Sequence, residues 1–134
     1  MEAYNKKVLA LFKHPKNMGK IENPDGLGKV GNPVCGDIMY VYIKVGKNKQ
    51  GKEIIKDIKV STTGCIAAIT SSSMVTQLAK GKTLEQAEKI TKEDVNNALG
   101  KLPEIKFHCS ILAQDALKKA IQDYRSKKKS KKTL

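Results

Sequence analysis

The sequence predicts an α/β (α+β) domain in which helices surround an antiparallel strand pair, and three observations carry that prediction. Asp37 to Val45 alternates Met39, Val41, Ile43 and Val45 against Ile38, Tyr40, Tyr42 and Lys44, a run of period two rich in β-branched and aromatic residues. The polar stretch Gly46 to Glu53 contains two glycines and separates this run from a second one, Ile54 to Ser61, so the two should pair as a hairpin with a long turn. Helical spacing recurs on both sides of the hairpin, most clearly in Ala113, Leu117, Ala120, Ile121 and Tyr124.

Each element follows from its own signals. Ala3 to Lys13 places Val8, Leu11 and Phe12 on one helical face, and Pro15 stops the helix. His14 to Pro33 is punctuated by Pro15, Gly19, Pro24, Gly26, Gly28, Gly31 and Pro33, which reads as a loop with one short strand near Leu27 to Val30. After the hairpin, Ile66 to Lys80 combines small Ala67, Ala68 and Ser71 to Ser73 with apolar Met74, Val75 and Leu78, as in a helix packed closely on a sheet. Thr83-Leu84-Glu85-Gln86 fits a capping box before a helical run to Ile90, and Thr91 is another start signal. Glu93 to Leu99 then makes a short helix closed by a left-handed Gly100, and a long last helix begins at about Cys109 or Ser110.

A chain of 134 residues suggests one domain, and its 40% hydrophobic content supports a core without staples. Only 4% of residues are aromatic and there is no Trp, so that core must be aliphatic. No apolar run is long enough to cross a bilayer, and the start of the chain lacks the pattern of a secretory signal. This places the protein in a reducing cytoplasm, where three cysteines, an odd set, do not form a disulfide framework. The net charge is +13, but Arg125 to Lys132 holds six of the basic residues and the rest of the chain stands at +7. No basic face with stacking aromatics appears, so neither nucleic acid nor membrane is expected as a partner. Residues 1–125 therefore read as a single domain and 126–134 as a Lys-rich, disordered tail. The tail is either a solvated helix end or a means of steering toward an acidic partner.

The cysteines stand in Gly31-Asn32-Pro33-Val34-Cys35-Gly36-Asp37, in Thr62-Thr63-Gly64-Cys65 and in Lys106-Phe107-His108-Cys109-Ser110. A lone cysteine inside an apolar element is usually a small buried hydrophobe. These three lie instead at element ends beside Gly, Asp or His, where thiolates are placed for reactivity. Antiparallel pairing brings Cys35, just before the first strand of the hairpin, and Cys65, just after the second, to the same edge. Cys65 also stands at a helix start, whose orphan N–H groups and positive dipole end should lower its pKa. His108 and Cys109 begin the last helix. Cys35, Asp37, Cys65, His108 and Cys109 thus offer three thiolates, a carboxylate and an imidazole, a set that suits Zn(II) or an iron-sulfur cluster. No two of the cysteines are closer than thirty residues, so such a site assembles only when the tertiary structure closes.

At these residues the sequence resembles the IscU-type (NifU N-terminal-like) iron-sulfur cluster assembly scaffolds over nearly its whole length. The resemblance rests on Gly31 to Asp37, on Thr63-Gly64-Cys65 followed by Ser71-Ser72-Ser73, and on Lys106-Phe107-His108-Cys109-Ser110-Ile111-Leu112-Ala113. His14-Pro15-Lys16-Asn17-Met18-Gly19 is a weaker N-terminal signature. It implies a three-stranded antiparallel sheet with helices packed on one face, a long C-terminal helix and the three cysteines at one end. It also implies an assembly scaffold rather than a turnover enzyme. A cysteine desulfurase delivers persulfide sulfur, iron arrives, an electron donor such as a ferredoxin completes reduction, and a [2Fe-2S] cluster forms for transfer to acceptor apoproteins.

Carried over residue by residue, Cys35, Cys65 and Cys109 are the cluster ligands, with Asp37 or His108 in the fourth place, and Zn(II) can fill the same set in purified apo protein. Cys109 matches the position that accepts persulfide. Lys106 matches the one that helps it exchange with metal, although Lys106 also reads as an ordinary surface lysine and His108 as a helix-start residue. Tyr4 matches an aromatic linked in some members to self-association, which leaves a homodimer open beside a plain anchoring role for Tyr4. One departure concerns Leu102-Pro103-Glu104-Ile105-Lys106, where Glu104 replaces the second proline of an Hsp70-type chaperone motif and weakens that expected partner. The alternative is a zinc-bound, sulfurtransferase-like sulfur acceptor of the related SufU-type branch. That branch carries an insertion before the last cysteine and an arginine in place of His108, and neither feature is present here. A binding module with inert cysteines is the remaining reading.

Overall fold

A computed structural model describes residues 6–32, 37–63, 66–100 and 108–133, with backbone alone at 7, 8, 32, 37, 66, 67, 108–111 and 128–133. The elements in chain order are α1 (Lys6–Lys13), β1 (Gly26–Asn32), β2 (Asp37–Lys47), β3 (Glu53–Thr62), α2 (Ile66–Ala79), α3 (Leu84–Glu88), α4 (Lys92–Ala98) and α5 (His108–Thr133). The strands form one antiparallel sheet in the order β1-β2-β3. The alternation in β2 decides which face is covered: Met39, Val41 and Ile43 are buried, while Ile38, Tyr40, Tyr42 and Lys44 lie on the other face. The buried face continues into Ala68, Val75 and Ala79 of α2, Leu84 and Ala87 of α3, Val95 of α4 and Ala113, Ala116, Leu117, Ala120 and Ile121 of α5. The core is aliphatic, as the composition requires. On the outer face Tyr40 stacks on Tyr42 with ring centroids 6.4 Å apart, and Lys29 Nζ lies 5.6 Å from the Tyr40 ring centre.

Strict alternation would put Ile55 and Ile58, three residues apart, on opposite faces, yet both are fully buried. The ladder resolves this with a slip: Lys44 opposes Asp57, Val45 opposes Ile55, and Lys56 is the extra residue of a bulge. The outer edge of β3 is occupied at Val60, Ile58 and Ile55. Val60 N–H donates to the Asn17 carbonyl (3.0 Å) and its carbonyl accepts from Gly19 N–H (2.8 Å). Ile58 N–H donates to Asp57 Oδ1 (2.9 Å), and Ile55 N–H donates to the Lys82 carbonyl (2.9 Å). An edge so occupied does not template pairing with another chain.

The glycines of β1 set how the last helix sits. Gly26 and Gly28 share the buried face with Val30, and a Cβ at Gly28 would lie 2.0 Å from the Ala116 carbonyl oxygen and 2.6 Å from Ala120 N. At Gly26 the same atom would lie 2.2 Å from the Ala120 carbonyl oxygen. The backbone of α5 therefore rests directly on the backbone of β1, a contact that only glycine on the strand and small residues on the helix permit. The short strand expected near Leu27 to Val30 is accordingly a full seven-residue strand.

The cap predictions hold. Thr83 and Gln86 form a reciprocal capping box at α3, Thr91 and Asp94 form another at α4, and Gly100 follows α4 at φ 78°. In α1, Leu11 packs on the core but Phe12, expected beside it, is 37% exposed. An eight-residue helix resting mainly on α2 buries a stripe too narrow for both. The last helix continues through Thr133, into the segment whose composition marks it as a tail, with Ser126 and Lys127 exposed. Among the described residues no helix is long and apolar enough to cross a membrane.

One titratable group ties α5 to the turn end of the sheet. The Tyr124 hydroxyl donates to the Glu53 carboxylate, and burial, then Glu53, then Asp25 push its phenol from an ordinary 10 up to about 12. Below pH 10 the hydroxyl is protonated whether the chain is folded or not, so its contribution is complete. Between about pH 10 and 12 the unfolded chain ionises first and stability falls. Urea midpoints measured across that interval should drop more steeply in the wild type than in Tyr124→Phe; parallel curves would contradict the assignment.

Candidate functional site

Residues that flank three connections come together at the end of the sheet opposite Tyr124. At the first, Asn32 opposes Asp37 across the β1–β2 pair, so residues 33–36, Cys35 among them, are the hairpin connection. At the second, β3 runs beside the start of β2: Met39 opposes Thr62, Thr63 N–H donates to the Ile38 carbonyl (3.2 Å), and Ile38 N–H donates to Thr63 Oγ1 (3.3 Å). Only Gly64 and Cys65 separate Thr63 from Ile66, the first residue of α2. The expected meeting of the hairpin's outer ends is therefore observed in the flanking residues.

The start of α5, which follows the third connection in sequence, is placed by the glycine contacts. Gly26 meets α5 at Ala120 and Gly28 meets it at Ala116 and Ala120, so the helix runs antiparallel to the strand. Two strand residues advance about 6.6 Å and one helical turn about 5.4 Å, so strand and helix stay nearly in step. Continued along β1, that step brings the first turn of α5, with the backbone of His108 and Cys109, level with Asn32 and Asp37.

The helix starts differ in the charge of their first turns. The first turn of α3 carries Glu85 and that of α4 carries Glu93 and Asp94, acidic groups that complement the helix dipole. The first turns of α2 and α5 carry none. Two positive helix ends thus face a region for which the sequence supplies thiols, and neither is answered by a carboxylate of its own first turn.

Of the predicted site residues, Asp37, His108 and Cys109 have their backbone at this end. Cys35, Cys65 and Lys106 lie outside the described residues, as do Tyr4 and Glu104. Among the described residues no group of three or more His, Cys, Asp and Glu side chains is placed to hold a metal ion. A groove at the opposite end, lined by Lys47, Lys52, Glu53, Glu85 and Arg125, mixes charges and offers no thiol or imidazole. Two features that position the site were not read from the sequence. The spacing Gly26-x-Gly28 was the available signal for the close helix contact, since alternate glycines fall on one strand face. The segment Lys16 to Gly19 gives no comparable signal, because its partners Val60, Ser73 and Thr76 lie far along the chain.

A family model described as the NifU-like N terminal domain matches residues 3–131. The chain is 57% identical over 121 residues to the iron-sulfur cluster assembly scaffold protein IscU 1 of Archaeoglobus fulgidus, spanning 90% of this chain and 76% of that one. It is 48% identical over 132 residues to the scaffold protein IscU of Escherichia coli K12, spanning 96% and 99%. In three dimensions it matches the N-terminal part of a NifU-like protein from Brucella abortus with a TM-score of 0.67 at 20% identity, over 92% of this chain and 95% of that one, which bears on the fold. A scaffold protein for the SUF system from Fervidobacterium islandicum matches at 0.65 and 22% identity, over 88% and 96%, and likewise bears on the fold alone. By the family model and by these relatives, this chain belongs to the NifU-like N-terminal domain family.

Proposed function

We propose that the chain is a scaffold on which a [2Fe-2S] cluster is built from desulfurase-derived sulfur and iron and from which it passes to acceptor apoproteins. The observation that carries this reading is the near-full-length identity of 48 to 57% to proteins named as iron-sulfur cluster assembly scaffolds. The convergence at one sheet end of the residues that flank three connections supports it. Cluster and iron are cargo here rather than resident cofactors.

Cys35, Cys65 and Cys109 supply the thiolates, and Asp37 or His108 the fourth ligand. In sulfur delivery the Cys109 thiolate attacks the terminal sulfur of a persulfide on the desulfurase. The S–S bond of that persulfide breaks, the desulfurase thiolate leaves, and Cys109 holds the new persulfide. Release of sulfide needs two electrons, for which a ferredoxin-type donor is the class of reductant. Lys106 assists exchange between Cys109 and metal as a neighbouring cation. The protein acts as an assembly partner rather than a turnover enzyme, in the cytoplasm, with no nucleic acid or membrane required. Residues 1–125 are the working domain.

A hard carboxylate holds a soft cluster less firmly than a thiolate does. Asp37→Ala is expected to lengthen the lifetime of the visible chromophore several-fold in air, and equal decay in the two proteins would count against the carboxylate's role. To test the function, reconstituted protein is mixed anaerobically with an apo-ferredoxin. The scaffold reading predicts that the cluster signal moves to the acceptor. A zinc-bound sulfur acceptor would instead take up sulfur and never support a chromophore.

A further inference from the structure

Ser73 of α2 is fully buried, and its hydroxyl makes two bonds to a single distant residue: it accepts from Lys16 N–H (2.8 Å) and donates to the Lys16 carbonyl (2.8 Å). One turn on, Thr76 Oγ1 accepts from Asn17 Nδ2 (3.0 Å) and donates to the Ser73 carbonyl (2.5 Å). The same strap binds the sheet from its other side. Val60 N–H donates to the Asn17 carbonyl and Gly19 N–H to the Val60 carbonyl. Left-handed backbone at Asn17 (φ 58°) and positive φ at Gly19 (127°) turn the chain so that it reaches both neighbours.

The two elements so tied, β3 and α2, are the ones joined by the connection that contains Cys65. Val60 lies just before the end of β3, and Ser73 lies two turns into α2. The strap therefore closes a ring across that connection. It also acts on a helix whose buried face is largely polar. Thr70, Ser71, Ser72, Ser73 and Thr76 are all buried in α2, beside Ala68, Val75 and Ala79 as its buried apolar residues among those described, with Met74 and Leu78 packed on the core from partial exposure.

We propose that Lys16 to Gly19, acting through Ser73 and Thr76, form a positioning strap that sets the angle at which α2 leaves β3, and with it the start of the helix that Cys65 immediately precedes in sequence. The consequence for cluster binding rests on the scaffold reading; the effect on the thiol does not.

Three variants separate this role from general stability. Ser73→Ala deletes both bonds to Lys16. Asn17→Gly deletes the bond to Thr76 and keeps a backbone that glycine adopts freely. Tyr124→Phe perturbs the opposite end. In each apo protein, alkylation of Cys65 and Cys35 by iodoacetamide at one fixed pH is followed by mass spectrometry of the labelled peptides. The ratio of the two rates should change about fivefold in Ser73→Ala and about threefold in Asn17→Gly, the scale set by losing one net hydrogen bond, and hold steady in Tyr124→Phe.

Equal changes at both thiols, an unchanged ratio, or the same shift in Tyr124→Phe would overturn the proposal. Should Ser73→Ala fail to fold, Asn17→Gly decides the question alone. The visible circular dichroism of the reconstituted cluster, sensitive to ligand geometry, should likewise differ from wild type in Asn17→Gly and match it in Tyr124→Phe. If the wild type formed no cluster, the scaffold reading would fall while the thiol ratio still judged the strap.

Discussion

Gly28→Ala should lower stability by about 3 kcal/mol or more, because the added methyl cannot be absorbed by a side-chain rotation. The atoms it meets are backbone, the Ala116 carbonyl oxygen at 2.0 Å and Ala120 N at 2.6 Å, so either β1 or α5 must move as a unit. Total stabilities of domains lie around 5 to 15 kcal/mol, which makes this a large fraction. Gly51→Ala is the natural comparison. Nothing lies within 4 Å of its Cβ position, but its φ of 79° makes alanine strained, so a loss of about 1 kcal/mol is expected there. Urea unfolding of the two variants checks both figures, and a Gly28→Ala protein within about 1 kcal/mol of wild type would refute the close approach. The same displacement should disturb the end of the sheet where α5 begins, so that whatever Gly28→Ala protein folds should bind the cluster poorly.

The second large effect concerns the thiols. Substituting alanine for Cys35, Cys65 or Cys109 should abolish stable cluster retention in each case, since three ligands contributed by three separate chain segments leave no local pair to hold a fragment. Far-UV circular dichroism of the apo variants should stay that of wild type. Cys109→Ala should in addition stop formation of a persulfide on the chain when a desulfurase and cysteine are supplied, which mass spectrometry would show as the missing addition of one sulfur. A variant that kept the full chromophore would remove its cysteine from the site.

How much of this was legible in the sequence varies with the physics behind each feature. The strand β2 and its buried face were plain, because Met39, Val41 and Ile43 alternate with Tyr40 and Tyr42, and a period of two has one structural meaning. The box at Thr83 and the helix start at Thr91 were legible for a related reason: a cap is set by residues close in sequence. Contacts between distant segments were not. Gly26 and Gly28 read as loop punctuation because glycine has no strand propensity of its own, and its use here depends on Ala116 and Ala120 lying opposite. The bulge at Lys56 escaped because a three-residue spacing of isoleucines says nothing until the opposing strand is known. For the site, short motifs marked the cysteines and Asp37, and the hairpin led to the expectation that its outer ends meet at one edge, which the flanking Asp37, Ile38 and Thr63 do. What brings α5 to that edge is its contact with β1, a tertiary fact.

The central claim is that this chain assembles a cluster on its own thiolates. Anaerobic reconstitution with iron, cysteine and a desulfurase, read by visible absorption together with iron and sulfide analysis, tests it most directly. Wild type and Asp37→Ala should both gain a [2Fe-2S] chromophore with iron and acid-labile sulfide in equal amounts, the Asp37→Ala protein holding it longer. Absence of a chromophore from both proteins, with zinc bound or with no metal taken up, would contradict the claim.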